Sequence, residues 1–190
     1  MQKVAKALVL AGCAGLPFLS TAARAADEPP VHSFTGKVAL YSEYEYRGIG
    51  QTAEKPALQL NLDYAHKSGF YVGTWASSIK WIEDNSDVPP QTNIDGPVEV
   101  DFYGGYKFSL GPVGLDAGVL RYQYVSNNLQ DTGGGGVYKN ANTTEVYLAG
   151  TIGPVTAKYS HALTNLFGNY NFPADMDTKG SSYFDVTATF

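Results

Sequence analysis

The 190-residue chain has little charge, almost no sulfur and no long hydrophobic run. It contains one cysteine, Cys13, so no intramolecular disulfide and no cysteine-pair metal site can form. Only 16% of its residues are charged, and 18 acidic residues outweigh 13 basic ones. A nucleic-acid surface needs clustered lysine and arginine, so nucleic acid is excluded as a partner. The length allows one domain of ordinary size.

The N-terminal segment has the pattern of an export signal. Lys3 and Lys6 precede an apolar run over 7–19, and Ala23-Arg24-Ala25 has the small-x-small form of a signal peptidase site. The run is shorter than the roughly 20 apolar residues of a membrane-spanning helix. We expect a cleaved signal peptide over 1–25, a periplasmic leader over 26–33 and the folded domain over 34–190. Cleavage removes three of the 13 basic residues, which leaves 10 against 18 acidic residues.

A second reading of the same segment remains open. Leu10-Ala11-Gly12-Cys13 resembles a bacterial lipobox, and lipidation of Cys13 would then anchor the chain. Either route places the protein in the periplasm, in the outer membrane or outside the cell.

The abundance of tyrosine (14), glycine (21) and phenylalanine (9) favours strands and tight turns over helices. Alternation with period 2 is clearest in the segment from Leu58 to Tyr64, where Leu and Tyr alternate with Gln, Asn and Asp. Eight strands are predicted: 34–48, 58–64, 70–81, 98–103, 113–125, 145–152, 155–163 and 183–190. In 113–125 the apolar positions switch parity, which predicts a bulge that turns Leu120, Tyr122 and Tyr124 outward and Arg121 inward.

Short and long connections alternate between these strands. Short turns fall at 67–69, 109–112 and 153–154, whereas long polar connections fall at 49–55, 83–97, 126–143 and 164–181. Outer-membrane barrels show this asymmetry, with short periplasmic turns and long outer loops.

Alternation by itself allows two orientations of the sheet. In a soluble, lipocalin-like periplasmic carrier, Leu58, Leu60, Leu62, Val146 and Leu148 would point inward, and in a membrane barrel they would point outward. The export signal and the loop asymmetry favour an all-β, antiparallel transmembrane β-barrel in the outer membrane of a Gram-negative bacterium. Aromatic residues near strand ends are the expected interfacial girdles: Tyr44, Tyr46, Tyr64, Phe70, Tyr106, Phe108, Tyr122 and Tyr124. The outward row that ends in Phe190 resembles the signal that such barrels present to the barrel-assembly machinery.

The opposite face would carry the charged residues of the strands. The predicted lumen-lining set has seven acids and five bases: Lys37, Glu43, Glu45, Arg47, Asp63, Glu99, Asp101, Lys107, Arg121, Glu145, Lys158 and Asp185. These side chains either fill a narrow lumen as a salt-bridge network or line an ion pathway with mild cation preference. Arg47, Glu43 and Glu45 are the expected centre of this set, because one strand would present all three to the lumen.

No catalytic, metal or cofactor site is predicted. Ser160 and His161 are adjacent and therefore lie on opposite faces of a strand. His66 and Ser68 lie at a short turn, and His32 lies in the leader. The acidic segments 83–87 and 175–177 lack a complete metal-ligand spacing. The chain is therefore predicted not to be an enzyme.

The segment Tyr46-Arg47-Gly48-Ile49-Gly50-Gln51 resembles the Tyr-Arg-Gly-x-Ser-Gln motif of the TorF family of outer-membrane porins, with Gly50 in the serine position. The resemblance continues through 55–57, 68–75, 99–107 and 145–167. It implies a porin for passive diffusion of small solutes or ions, surrounded by outer-membrane lipid. The alternative is a structural or adhesive barrel with a plugged lumen, in which the outer loops 83–97, 126–143 and 164–181 carry the function.

Overall fold

The computed structural model describes residues 30–174 and 176–190. The predicted signal peptide, Cys13, the first residues of the predicted leader and Asp175 lie outside the described residues. The strands are β1 (His32–Tyr41), β2 (Glu45–Tyr46), β3 (Ile49–Gly50), β4 (Ala57–His66), β5 (Phe70–Ser78), β6 (Val98–Leu110), β7 (Val113–Val125), β8 (Thr143–Ile152), β9 (Val155–Ala162), β10 (Tyr170–Asn171), β11 (Met176–Asp177) and β12 (Ser182–Ala188). Short 3-10 helices cover Glu83–Asp87, Leu129–Gly134, Leu166–Gly168 and Phe172–Ala174. Within the described chain, no helix has the length and apolar character needed to cross a bilayer.

Eight of these strands form one antiparallel sheet in the order β1-β4-β5-β6-β7-β8-β9-β12. The prediction of an all-β fold with eight main strands is therefore confirmed. Each strand pairs with the next main strand along the chain, so β1 and β12 are the two edges of the sheet. Two further pairs, β2 with β3 and β10 with β11, lie within the long connections.

The predicted strand over 34–48 is wrong in its second half. β1 begins at His32, within the predicted leader, and ends at Tyr41. The chain then folds into the hairpin of β2 and β3, whose two-residue turn is Arg47-Gly48. Both turn residues have positive φ (50° and 76°), as a type I′ turn requires. A hairpin arm alternates with the same period as a longer strand, which is why the sequence pattern did not separate them.

The predicted bulge in β7 is also wrong. The register with β6 runs without a break from Val113 opposite Leu110 to Val125 opposite Val98. Tyr122 and Tyr124 therefore lie opposite Asp101 and Glu99, on the same face as these carboxylates, and Leu120 shares that face. Arg121 lies opposite Phe102, on the other face. The tyrosines turn toward the acids because their hydroxyls hydrogen-bond to buried carboxylates, as shown below.

The two faces of the sheet differ in burial. The apolar face carries Leu58, Leu60, Leu62, Phe102, Leu148 and their neighbours, and these side chains are exposed, Leu62 by 63% and Leu148 by 53%. The polar face carries Glu99, Asp101, Tyr122, Tyr124 and Glu145, all of which are buried. Side chains of strands that are not neighbours meet across the polar face, so the sheet is curved with this face inside. The leucines that a soluble carrier would turn inward are therefore exposed in the described chain.

The connections alternate as predicted. The turns after β4, β6 and β8 are short and lie at the end of the sheet where β1 begins, which we call the turn end. The long connections 42–56, 79–97, 126–142 and 163–181 lie at the opposite end, which we call the loop end. Of the predicted aromatic girdle, Tyr64, Phe70, Tyr106 and Phe108 lie on the apolar face near the turn end. The prediction is wrong for the other four, Tyr44, Tyr46, Tyr122 and Tyr124, which pack among the buried residues at the loop end.

Candidate functional site

The middle of the polar face is built from tyrosines that lie opposite glycines. Tyr71 faces Gly105 on the next strand, Tyr103 faces Gly73, and Tyr147 faces Gly118. Each ring occupies the space that its glycine leaves free: a Cβ at Gly118 would lie 2.5 Å from Tyr147 Oη, and a Cβ at Gly105 would lie 2.6 Å from Tyr71 Oη. Three Tyr–Gly pairs thus fill the concave side of the sheet.

The tyrosine hydroxyls bind the acids of the polar face. Tyr103 donates to Asp63 Oδ1 at 2.5 Å and accepts a hydrogen bond from the Asn61 amide at 2.7 Å. Tyr71 donates to Asp116 Oδ1 at 2.6 Å and also contacts the Tyr147 hydroxyl. Carboxylates that would be costly to bury alone are stabilised in this way.

Arg47 reaches the polar face from the tip of the β2–β3 hairpin. Its guanidinium donates two hydrogen bonds to Glu145, each 2.8 Å long. The two side chains are 13% and 3% exposed. The guanidinium also lies over the rings of Tyr46 and Tyr183, at 5.0 and 4.2 Å from the ring centroids. Burial lowers the pKa of Arg47, but the bonded carboxylate and neighbouring groups outweigh this and raise it above its ordinary value.

Tyrosines complete the surroundings of this ion pair. Tyr122 donates to Glu145 Oε2 at 3.2 Å, and its hydroxyl also contacts that of Tyr46. The Phe167 ring meets Tyr46 and Tyr122 edge-on, at centroid distances of 6.1 and 5.2 Å. Burial is the main reason that the pKa of Tyr46 is raised, so this hydroxyl stays protonated over the ordinary pH range.

Glu99 and Asp101 form a second acidic group beside the ion pair. They are only 1% and 7% exposed. Tyr124 donates to Glu99 Oε1 at 3.5 Å, whereas Glu99 Oε2 and Asp101 Oδ1 have no hydrogen-bond partner among the described residues. Burial first, and these two acids second, raise the pKa of Tyr44 in the neighbouring 42–56 connection. No group of three His, Cys, Asp or Glu side chains in the described chain is arranged to hold a metal ion.

Above these groups, the long connections form a packed layer that we call the loop cap. Its apolar centre contains Ile79, Ile82, Ile94, Leu129 and Ala141, which are all buried and pack with Tyr122 and Tyr124. Backbone bonds tie the connections together: the amides of Lys80 and Trp81 donate to the Gln51 carbonyl at 2.7 and 3.2 Å. The loop cap therefore covers the polar face at the loop end.

The turn end of the polar face is less filled. A cavity of about 410 Å³ lies there, lined by side chains that include Tyr71, Lys107, Asp116, Tyr147 and Lys158. Lys107 Nζ lies 4.8 Å from the Tyr71 ring centroid, and Lys158 Nζ lies 4.2 Å from that of Tyr147. The concave side is thus a charged cavity at one end and a packed cap at the other.

Comparison with known proteins identifies the family. Residues 24–190 match the family model described as "Bacterial protein of unknown function (Gcw_chp)". The chain belongs to the Gcw_chp family. No curated protein and no solved structure matches the chain. The description of Gcw_chp gives no activity, so the resemblance to TorF-type porins stays a prediction.

In this Gcw_chp chain, eight of the twelve predicted lumen-lining residues lie on the polar face of the sheet: Lys37, Asp63, Glu99, Asp101, Lys107, Glu145, Lys158 and Asp185. Arg47 joins them from the hairpin. Glu43 and Glu45 are not presented with it by one strand, because β1 ends before them, and Glu45 is exposed. Arg121 lies on the apolar face because β7 has no bulge.

Several residues of the site were missed by the sequence analysis. Asp116 is one that the alternation of β7 could have revealed, because Val113, Leu115 and Ala117 occupy the other face. Tyr71 and Tyr103 were missed because a hydropathy pattern counts tyrosine as apolar, although its hydroxyl is a hydrogen-bond donor.

Ser160 and His161 lie on opposite faces of β9, as predicted, because Ser160 pairs with Tyr147 and His161 with Val146 on β8. His161 Nδ1 lies 3.2 Å from Ser182 Oγ on the neighbouring strand, and this hydroxyl lies 2.7 Å from Tyr159 Oη. Among the described residues, no carboxylate lies within ion-pair distance of His161 to orient it as a base. His66 Nδ1 contacts Ser68 Oγ at 2.8 Å within the turn that follows β4. The absence of enzyme activity remains a prediction.

Proposed function

We propose that this Gcw_chp protein is an outer-membrane β-barrel with a plugged interior, which acts through its surface rather than as an open pore. The observation that carries the proposal is the inverted burial of the sheet. Leucine, valine and phenylalanine are exposed on one face, whereas glutamate, aspartate and arginine are buried on the other. Exposed apolar side chains are unfavourable in water, whereas contact with membrane hydrocarbon stabilises them.

Closure of the barrel follows from the same environment. In hydrocarbon the free edges of β1 and β12 would leave backbone groups without partners, which a bilayer does not tolerate. β1 runs from the turn end to the loop end and β12 runs the opposite way, so the edges are suited to antiparallel pairing. The contact of Arg47 with Tyr183 of β12 brings the segment that follows β1 close to the other edge. Both arguments favour a closed eight-stranded barrel.

The interior favours the structural or adhesive alternative over the porin. An eight-stranded barrel has an interior just wide enough for side chains. Here the Tyr–Gly pairs, the Arg47–Glu145 ion pair and the loop cap fill that space from the middle to the loop end. The cavity at the turn end would then be blind, because the filled interior closes it on the side of the loop end. The outer side of the loop cap would be the surface available to partners.

We expect the refolded chain 26–190 to insert into vesicles, to change gel mobility on boiling, and to give no stepwise conductance in a planar bilayer. Stepwise, cation-preferring conductance would contradict the plugged interior and support the porin. Failure of the chain to insert would contradict the membrane location itself.

Reversing the charge of Asp101 distinguishes a plugged barrel from an open pore. In a plugged barrel, Asp101→Lys should lower the stability of the fold and leave the bilayer silent. In a pore, it should shift the ion selectivity toward anions. The matched control is Asp87→Lys, which changes the same charge at an exposed position of the loop cap.

A further inference from the structure

Arg121 stands out on the apolar face. Within the eight main strands of the described chain, it is the one Asp, Glu, Lys or Arg side chain on that face. The neighbours across the sheet are Phe102 on β6 and Thr144 on β8. An arginine at this place has to be stabilised by what surrounds it, because the side chains around it are otherwise mainly apolar.

The protein offers Arg121 neutral partners. Its guanidinium donates to Thr144 Oγ1 at 2.9 Å and to Gln123 Oε1 at 3.3 Å. No carboxylate of the described residues lies within ion-pair distance. These two bonds use two of the five N–H donors of the guanidinium, so further donors remain for a ligand. A guanidinium that has donors left over and no carboxylate partner suits a phosphate group.

The height of Arg121 on the sheet agrees with a headgroup position. Arg121 is eight residues from Val113 at the turn end of β7, a strand length of about 26 Å. With the usual tilt of barrel strands, this corresponds to a height of about 20 Å within an apolar band of about 25 Å. On the proposed membrane orientation, Arg121 lies near the headgroups of the outer leaflet, where an arginine is far better tolerated than at the midplane.

A groove adjoins Arg121 on the same face. Its volume is about 820 Å³, and its lining includes Leu62, Val72, Phe102, Gly104, Val119 and Arg121. Gly104 lies between Val72 and Val119 across the strands, and a Cβ there would lie 3.1 Å from Val72 Cγ1. The glycine therefore keeps the groove open on the turn-end side of Arg121. An acyl chain whose headgroup lies at Arg121 would run in this direction.

We propose that this groove binds a phosphorylated glycolipid of the outer leaflet, with its phosphate on Arg121, Gln123 and Thr144 and an acyl chain beside Gly104. This inference rests on the proposed membrane location. The positive charge of Arg121 selects a lipid with a phosphate, because an apolar groove alone would accept any acyl chain. The lipid comes from the outer leaflet, because Arg121 lies on the loop-end half of the sheet.

The test uses the full folded chain in detergent micelles and native mass spectrometry with purified lipid A. The variants are Arg121→Leu, which suits the apolar face, and Arg121→Gln, which keeps a polar side chain without charge. Lys179→Leu is the matched control, because it removes a positive charge from an exposed position outside the groove. We expect both Arg121 variants to weaken lipid A binding at least about tenfold and the control to leave it unchanged.

Two other lipids identify the ligand. Dephosphorylated lipid A should bind the wild type as weakly as lipid A binds Arg121→Leu, and phosphatidylglycerol should bind at least about tenfold more weakly than lipid A. Equal binding by the wild type and both variants, or by phosphatidylglycerol and lipid A, would overturn the inference. Vesicle insertion of the wild type is measured in parallel: insertion without selective binding overturns this inference alone, whereas no insertion overturns the proposed function as well.

Discussion

Replacing Arg47 with methionine should lower the free energy of unfolding by about 3–5 kcal/mol. The substitution leaves Glu145, whose side chain is 3% exposed, as a buried carboxylate without its cation. Methionine keeps the length of the side chain and meets the same positive φ at position 47, so the change isolates the ion pair from the backbone of the turn. Urea unfolding of the refolded protein, followed by the fluorescence of Trp75 and Trp81, measures the loss.

The control for this prediction is the exposed ion pair of the loop cap. Lys80 bonds Glu83 at 2.9 Å, and these side chains are 37% and 31% exposed. Lys80→Met should cost less than about 1 kcal/mol because water screens the pair. The double replacement Arg47→Met/Glu145→Leu should recover most of the lost stability, since it removes both buried charges. If Arg47→Met costs no more than Lys80→Met, the buried ion pair contributes no more to stability than an exposed one.

Gly118→Ala should destabilise the protein by about 1–3 kcal/mol, the usual cost of overpacking a filled interior. The added Cβ would lie 2.5 Å from Tyr147 Oη and 2.6 Å from the backbone oxygen of Gly104. To avoid the clash, the Tyr147 side chain would have to leave its position over Gly118. The backbone oxygen of Gly104 could move only if the β6–β7 pairing were distorted.

Gly114 provides a matched control for Gly118 on the same strand and the same face. A Cβ at Gly114 has its nearest contact at 3.9 Å, with the Thr151 backbone oxygen. Gly114→Ala should therefore leave the stability unchanged or raise it by a few tenths of a kcal/mol, because alanine restricts the unfolded chain. Equal effects of the two substitutions in urea unfolding would show that Tyr147 does not depend on the space at Gly118.

The strands of the sheet could be predicted from the sequence because their bounds depend on residues that are close together in the chain. The bounds of β7 follow from hydrophobic residues between a short turn and a polar connection, and Val113–Val125 is confirmed to the residue. The face of each residue in β7 does not follow from the pattern, because Tyr122 and Tyr124 have both an apolar ring and a hydroxyl. Treating them as lipid-facing required a bulge, and that bulge placed Arg121 on the wrong face.

The centre of the site could not be predicted from alternation. Arg47 and Glu145 are 98 residues apart, and their pairing depends on the hairpin turning the chain back over the polar face. The sequence marks Arg47 as inward through the regular spacing of Glu43, Glu45 and Arg47. It does not tell a hairpin arm from a continuing strand, since both have period 2.

The order of strands has a consequence for how the protein forms. Every ladder of the main sheet joins strands that follow one another in the sheet sequence, so the hairpins can be added one after another as local events. The Arg47–Glu145 contact spans four of these strands and can form only after β8 has joined. An interaction that forms only after the transition state slows unfolding more than it speeds folding. We therefore expect the Arg47 hairpin to lengthen the lifetime of the folded state rather than to speed its formation.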